Sequence, residues 1–283
     1  MEKGIGTFLE YLANQKNCSP NTIAAYRNDL NQLVAYMEAE RTKGVINSNS
    51  ELLKCYLLNL REKRYSPATA ARKVASTKSF FKFMVDSGKS RENPAQSIVS
   101  PRVSKHSPVF LSLSEYHRLL AEPKKLSTPA AKRDVVMLEL LYATGLRVSE
   151  LVSLNVEDVD LERSCVRCVH SNSRRLIPFD HHINQLMQDF LTKDRLDLLY
   201  NEKEEALFLN WRGNRLTRQG FWQILKNHAS KAGLSAKVTP HTLRHTFAMN
   251  KLRHGVDIQS VQQVLGHAYI SSTRIYKRPT LSR

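Results

Sequence analysis

Residues 239–248, TPHTLRHTFA, combine a helix start with side chains that bind anions. The threonine and proline that open the stretch favour the cap and the first position of a helix. His241 and Arg244 are three positions apart, so they share one face in its first turns. Unpaired backbone N–H groups and the helix dipole favour an anion there. The stretch therefore predicts a phosphate-binding helix start, with His245 as a packing or hydrogen-bonding support.

The rest of the chain carries a charge that fits such a site. Its 283 residues include 43 Lys and Arg against 26 Asp and Glu, a formal net charge of +17. This excess indicates a polyanionic partner, nucleic acid before an anionic membrane surface, because the basic residues are spread along the chain. No run of apolar residues is long enough for a membrane span, and the first ten residues lack a signal-peptide core. We expect a cytoplasmic protein that acts at the bacterial nucleoid, without contact to a membrane.

The sequence divides into two domains joined by a linker. Residues 1–100 show helical periodicity throughout, and 109–283 mix helices with short strands. Between them, residues 101–108 belong to a stretch rich in proline, serine and basic residues, which is typical of a linker.

Basic side chains line one predicted helix of the first domain. In SPATAARKVASTKSFFKFMV the apolar positions form one stripe and leave four basic residues on other faces: Arg72, Lys73, Lys78 and Lys82. These charges are either a solvated helix face or a helix laid against DNA phosphates. We carry them forward as candidate DNA-binding residues.

The second domain contains one predicted β-hairpin, SCVRCVHSNSRRLIPF, in which two strands flank a polar turn. Cys165 and Cys168 form a CxxC pattern with His170 nearby, which raises the question of zinc. Positions three apart on a strand point to opposite faces, and no second ligand pair follows. The sequence therefore predicts no metal site.

Three further residues are candidates for a catalytic role. Arg147 follows a glycine turn in ATGLRVSEL, and Glu150 lies three positions on, where it can orient the guanidinium. His267 and Tyr276 lie in LGHAYISSTRIYKR. Taken singly, each has an ordinary alternative: a surface arginine, a histidine at a helix end, and a tyrosine on a basic helix.

Together these residues resemble a known family. Arg147, His241-x-x-Arg244, Leu-Gly-His267 and Tyr276 match the tyrosine recombinase, or phage integrase, family in order and spacing. The segment CSPNTIAAYRNDL resembles the core-binding domain of Xer-like and phage-integrase-like members. The resemblance covers nearly the whole chain. It implies a mainly α (α+β) fold, with a SAM-like helical core-binding domain and a mixed catalytic domain containing a small hairpin.

The resemblance also implies an activity, site-specific DNA recombination through a Holliday junction. Arg147 and Arg244 would bind phosphate oxygens, and His241 and His267 would donate hydrogen bonds and move protons. Tyr276 would attack phosphorus and form a 3′-phosphotyrosyl link without metal or cofactor. The expected partners are double-stranded DNA with inverted-repeat core sites and three further copies of the chain, in a homotetramer.

Two features depart from the family pattern. The family usually has a catalytic lysine in the hairpin turn, and alignment on Arg175-x-x-Pro178 places His170 there. Either His170 protonates the leaving oxygen, or it is a bystander and Arg174 or another residue substitutes. Only seven residues follow Tyr276, so docking between subunits is expected to use a very short segment or another part of the chain.

Other functions share this chemistry or this fold. A type IB topoisomerase-like nicking-closing enzyme would use the same tyrosine, whereas a non-catalytic DNA-binding module would not need it. Among recombinases, we expect an enzyme that resolves or integrates a mobile element, such as a transposon resolvase of the TnpI type. Xer-type resolution of chromosome or plasmid dimers is the alternative.

Overall fold

The chain folds into two compact units in this computed structural model, residues 1–105 and 106–283. The structure describes residues 2–42, 49–101, 109–170, 173–234 and 238–266, together with Thr273 and Tyr276. Within these residues, no helix combines the length and the apolar composition that a bilayer crossing needs.

The first unit consists of helices. Its described helices are α1 Glu2–Asn14, α2 Pro20–Thr42, α3 Asn49–Glu62 and α4 Pro67–Asp86. The predicted Ser-Pro start is seen at α4, where the Ser66 side chain accepts a hydrogen bond from the N–H of Thr69. Aromatic and aliphatic side chains from all four helices form its core, including Phe8, Leu33, Leu53 and Phe80.

The second unit surrounds a larger core with helices and one small sheet. Its described helices are α5 Leu113–Lys124, α6 Pro129–Thr144, α7 Val148–Ser153, α8 His181–Asp189, α9 Arg218–Lys231, α10 Pro240–Arg253 and α11 Ile258–Leu265. Helix α6 lies at the centre, since eleven of its residues are buried. This mainly helical fold with a small sheet confirms the predicted fold class.

The sheet contains the predicted hairpin and one additional short strand. Strands β1 Val159–Asp160, β2 Cys165–His170 and β3 Ser173–Pro178 pair antiparallel in that order. Cys168 lies opposite Arg175 in the β2–β3 register. This pairing directs the Arg175 side chain towards the interior of the unit, where it is 14% exposed.

A left-handed turn connects α6 to α7 and determines where the catalytic candidates lie. Gly145 has φ 63°, and its carbonyl accepts a hydrogen bond of 2.6 Å from Nη1 of Arg244. A Cβ at this position would overlap the ring of Phe247 on α10, which is buried. The glycine therefore permits both the turn and the close approach of α10.

Replacing Gly145 with alanine should cost more than its backbone conformation alone explains. The control is Gly255→Ala, which has φ 80° but open space around the added methyl group. We expect a loss of about 1–2 kcal/mol at Gly255 from the left-handed backbone, and a further ~1–3 kcal/mol at Gly145 from overpacking. Both tryptophans, Trp211 and Trp222, lie in the second unit, so urea unfolding followed by their fluorescence reports on that unit. Equal losses would show that the contact with Phe247 carries no energy.

Candidate active site

Arg147 is fixed at the start of α7 by the glutamate one turn ahead. The backbone N–H of Arg147 donates to Oε2 of Glu150 at 2.7 Å, and its Nη1 donates to Oε1 at 2.8 Å. Its Nη2 donates to the carbonyl of Gly266 at 2.9 Å. The guanidinium is held from two sides while a third of the side chain remains exposed. The predicted orientation of Arg147 by Glu150 is confirmed.

Glu150 contacts more than one arginine. Its carboxylate is buried and accepts a bond of 2.8 Å from Nη2 of Arg175. Burial raises the pKa of Glu150, but hydrogen bonds from Arg147 and the charge of Arg175 outweigh it and hold the pKa below its ordinary value. Glu150 is therefore a carboxylate at neutral pH. Sequence reasoning missed Arg175 as a site residue and used it only as an alignment anchor.

Arg244 lies deeper than Arg147. Its guanidinium donates to the carbonyls of Gly145 and Leu265 and approaches Oε2 of Glu150 to 4.0 Å. Burial and the neighbouring Arg147 cation lower the pKa of Arg244 to about 10, although Glu150 opposes this shift. Arg244 remains a cation at neutral pH, in surroundings that favour a second negative group.

The hydroxyl of Tyr276 lies against His245. The separation of the hydroxyl oxygen from Nδ1 of His245 is 2.6 Å, and the tyrosine is 2% exposed. It belongs to a buried hydrophobic cluster that also contains Phe247, Val261 and Leu265. Burial raises the pKa of Tyr276, while the charge of Arg244 works in the opposite direction. The structure thus brings the predicted nucleophile to the helix that carries Arg244.

The other histidines have different positions. His241 is exposed at the start of α10, with its ring centroid 6.5 Å from that of His245. His245 is the histidine bonded to the tyrosine; sequence reasoning gave it a supporting role. The backbone of His170 ends β2 opposite Ser173, and its side chain lies outside the described part of the chain. His267 also lies outside the described residues, as does most of the helix predicted around Tyr276.

The basic residues of α4 are placed in three ways. Lys73 is buried, with Nζ 3.0 Å from Oδ1 of Asp29 and 2.7 Å from Gln32. Arg72 is partly exposed and pairs with the same aspartate, and Lys78 donates to the carbonyl of Ile98. Lys82 is exposed beside Asp86. Because Lys73 is already paired inside the domain, a proposal of phosphate contact rests on Arg72, Lys78 and Lys82.

The site therefore joins excess positive charge to a nucleophile. Arg147, Arg175 and Arg244 face a single carboxylate, which leaves two positive charges unbalanced among these four groups. Guanidinium forks suit the oxygens of a phosphate group. A tyrosine hydroxyl beside such a cluster fits nucleophilic attack on phosphorus.

Family models divide the chain as the structure does. The phage integrase family matches residues 109–283, and the N-terminal SAM-like domain of phage integrases matches residues 5–88. The chain belongs to the phage integrase family. It is thus a tyrosine recombinase, and the predicted family is confirmed.

Curated relatives of this recombinase carry Xer names. Tyrosine recombinase XerC of Roseiflexus castenholzii is 45% identical over 98% of this chain and 88% of its own. Tyrosine recombinase XerD of Listeria innocua is 38% identical over 99% of this chain and 95% of its own.

Solved structures share the fold of this recombinase. The XerA recombinase has 28% identity and a TM-score of 0.55, covering 98% of this chain and 93% of its own. A Tn1549 transposon integrase, solved with transposon right end DNA, has a TM-score of 0.77 at 21% identity. That match covers 96% of this chain and 94% of the integrase.

The burial of His245 should make stability depend on pH. Burial, with the nearby His241 and Arg244, lowers the pKa of His245 from 6.5 to about 4. Between these values the unfolded chain binds more protons than the folded one, so stability falls as the pH drops through this window. We expect His245→Gln to weaken this dependence in thermal unfolding measured by tryptophan fluorescence.

The matched control is His117→Gln, which removes an exposed histidine of the same unit. It should keep the parent's loss of stability between about pH 6.5 and about pH 4. If His245→Gln and the parent lose stability in parallel over this range, His245 is not held neutral by its surroundings.

Proposed function

We propose that this recombinase cuts and rejoins DNA at specific sites through a covalent link between Tyr276 and a DNA 3′ phosphate. The observation that carries the proposal is the placement of the tyrosine hydroxyl. It lies 2.6 Å from Nδ1 of His245, and the charge of Arg244 acts on it to lower the pKa of Tyr276. Two arginines that flank Glu150, Arg147 and Arg244, bind the non-bridging oxygens of the scissile phosphate.

The chemistry balances without a metal or an energy source. The tyrosine oxygen forms a bond to phosphorus, and the bond between phosphorus and the 5′ oxygen breaks. The hydroxyl proton of Tyr276 passes to a histidine that acts as general base, His241 or His267, and the 5′ oxygen gains a proton from His170 as general acid. A 5′-hydroxyl from a second duplex reverses these steps, so the energy of the phosphodiester is kept in the phosphotyrosyl bond. Two such exchanges pass through a Holliday junction.

Histidines move the protons in this scheme. His241 and His267 take the hydrogen-bonding and proton-transfer roles, and His170 protonates the leaving 5′ oxygen in place of the missing lysine. The position of His170 at the end of β2 supports this assignment, because the hairpin also carries Arg175, which reaches Glu150. A histidine with an ordinary pKa near 6.5 can serve as an acid at neutral pH.

DNA contact and assembly follow from charge and family. The net charge of +17 supplies the attraction to phosphates. Arg72, Lys78 and Lys82 on α4 are the proposed contacts of the first unit. The working assembly is a homotetramer on two inverted-repeat core sites, since each of the two exchanges uses one tyrosine in each of the two duplexes.

The cellular role favoured by the relatives is Xer-type. Curated relatives named XerC and XerD match at 38–45% identity over 98–99% of this chain. The transposon integrase matches at 21%. Resolution of chromosome or plasmid dimers therefore has more support than the mobile-element role predicted from the sequence. Binding and sequencing of genomic DNA fragments would separate the two by the location of the site, near the replication terminus or inside an element.

Tyr276→Phe should abolish covalent capture of DNA. Incubation of the parent with a nicked suicide substrate should give a protein–DNA adduct resistant to denaturing electrophoresis. The phenylalanine variant should give none, since only the attacking oxygen is lost. Tyr200→Phe is the matched control, because Tyr200 is exposed in the same unit. Failure of the parent to form an adduct on its own genomic site would refute the proposal.

A better leaving group should rescue variants of His170. His170→Ala should slow cleavage about 100-fold, a typical contribution of general acid catalysis. A substrate with a 5′-thiol leaving group needs no proton at that atom, so this defect should disappear on it. His170→Lys should retain activity on the ordinary substrate. An alanine defect of equal size on both substrates would remove His170 from the acid role and favour Arg174.

A further inference from the structure

The β-hairpin contributes a third arginine to the arginine–carboxylate cluster. Arg175 on β3 is 14% exposed, and its Nη2 donates to Oε2 of Glu150 at 2.8 Å. That oxygen also accepts the backbone N–H of Arg147. Arg147 and Arg175 therefore share one carboxylate, and a movement of either changes the position of the other.

Arg175 and Arg147 also meet at Gly266. The Gly266 carbonyl accepts a hydrogen bond from Nη2 of Arg147. A Cβ on Gly266 would overlap Nη1 of Arg175 and lie 3.6 Å from Nη1 of Arg147. The two guanidinium groups thus flank the same residue, and the absence of a side chain there lets Arg175 close against it.

Arg175 is held in a position that costs free energy. Its Nε is buried and has no hydrogen-bond partner among the described residues. A buried donor atom without a partner costs stability, and such groups are retained where a function requires them. Its charge also acts on the site, since it contributes to the lowered pKa of Arg244 and to that of Glu150.

We propose that Arg175 is a positioning residue for cleavage. It fixes the phosphate-binding fork of Arg147 through Glu150 and Gly266, and it raises the excess charge of the cluster from one to two. A phosphodiester carries one negative charge, and the five-coordinate transition state of tyrosine attack carries two. An excess of two charges therefore favours the transition state over the bound substrate. This proposal rests on the proposed function.

The experiment compares strand cleavage of two substrates by Arg175→Met and Arg175→Lys in the full chain. One substrate has an ordinary scissile phosphate. The other is a methylphosphonate, in which a methyl group replaces a non-bridging oxygen and removes one negative charge from the transition state. Arg167→Met is the matched control, because Arg167 is exposed on the outer face of β2. Site affinity is measured by fluorescence anisotropy, and folding by thermal unfolding.

On the ordinary phosphate, Arg175→Met should cleave about 100-fold more slowly in a single turnover, the usual effect of losing one group that stabilises transition-state charge. Site affinity should change by less than about threefold, because the neighbouring phosphates are still bound by other residues. On the methylphosphonate the defect should shrink to about 10-fold or less, since less charge has to be balanced. Arg175→Lys should be intermediate, and Arg167→Met should match the parent.

Two results would overturn the proposal. One is parental cleavage by Arg175→Met, and the other is a defect of equal size on both substrates, which is the mark of a purely structural residue. If Arg175→Met does not fold, the same comparison on Arg175→Lys decides. The parent separates this test from the proposed function: no adduct with the parent refutes the function, whereas a parental adduct with an unaffected variant refutes only the role of Arg175.

Discussion

The candidate active site depends on the interaction of the buried Glu150 carboxylate with the arginines around it. Arginine cations repel one another, and Arg147, Arg175 and Arg244 would not converge on one point without a negative group between them. Glu150 is 2% exposed, and its two oxygens hold Arg147 and Arg175 directly. Since it balances only one of the three charges, the site is arranged for an anion before DNA arrives.

The surrounding elements of the fold position the side chains of this cluster. The left-handed turn at Gly145 places Arg147 at the start of α7 and presents a carbonyl to Arg244 on α10. The hairpin delivers Arg175, and the left-handed Gly266 at the end of α11 accepts Arg147. Four separate elements thus meet through charged side chains and backbone carbonyls. A small displacement of any one element would therefore shift the positions of all three arginines.

The tyrosine is held in a protonated state in the same structure. Its pKa is raised by burial, and the pKa of His245 is lowered to about 4, so His245 is a hydrogen-bond partner and a poor base. Arg244 is the nearby group that favours the phenolate. In the proposed mechanism, attack therefore depends on the arginine cluster twice, once to hold the phosphate and once to stabilise the oxygen that attacks it.

The sequence predicted those parts that local patterns encode. Helix caps, the Gly145 turn and the spacing of Arg147 and Glu150 are short-range features, and the sequence predicted each of them. The positions of Arg175 and Lys73 were not. Arg175 lies 25 residues from the carboxylate it binds, and Lys73 lies 44 residues from Asp29. A buried, paired cation and a solvated cation look alike in the local sequence pattern. Only tertiary packing distinguishes them.

A double-mutant cycle on single-turnover cleavage tests the central claim, that Glu150 acts through the arginines it holds. The cycle compares the parent with Glu150→Gln, Arg147→Met and the double variant, each first shown to be folded. If Glu150 works by fixing Arg147, the double variant should be far less impaired than the product of the two single defects. Single defects that multiply in the double variant would show that the two residues act independently, and would contradict this account.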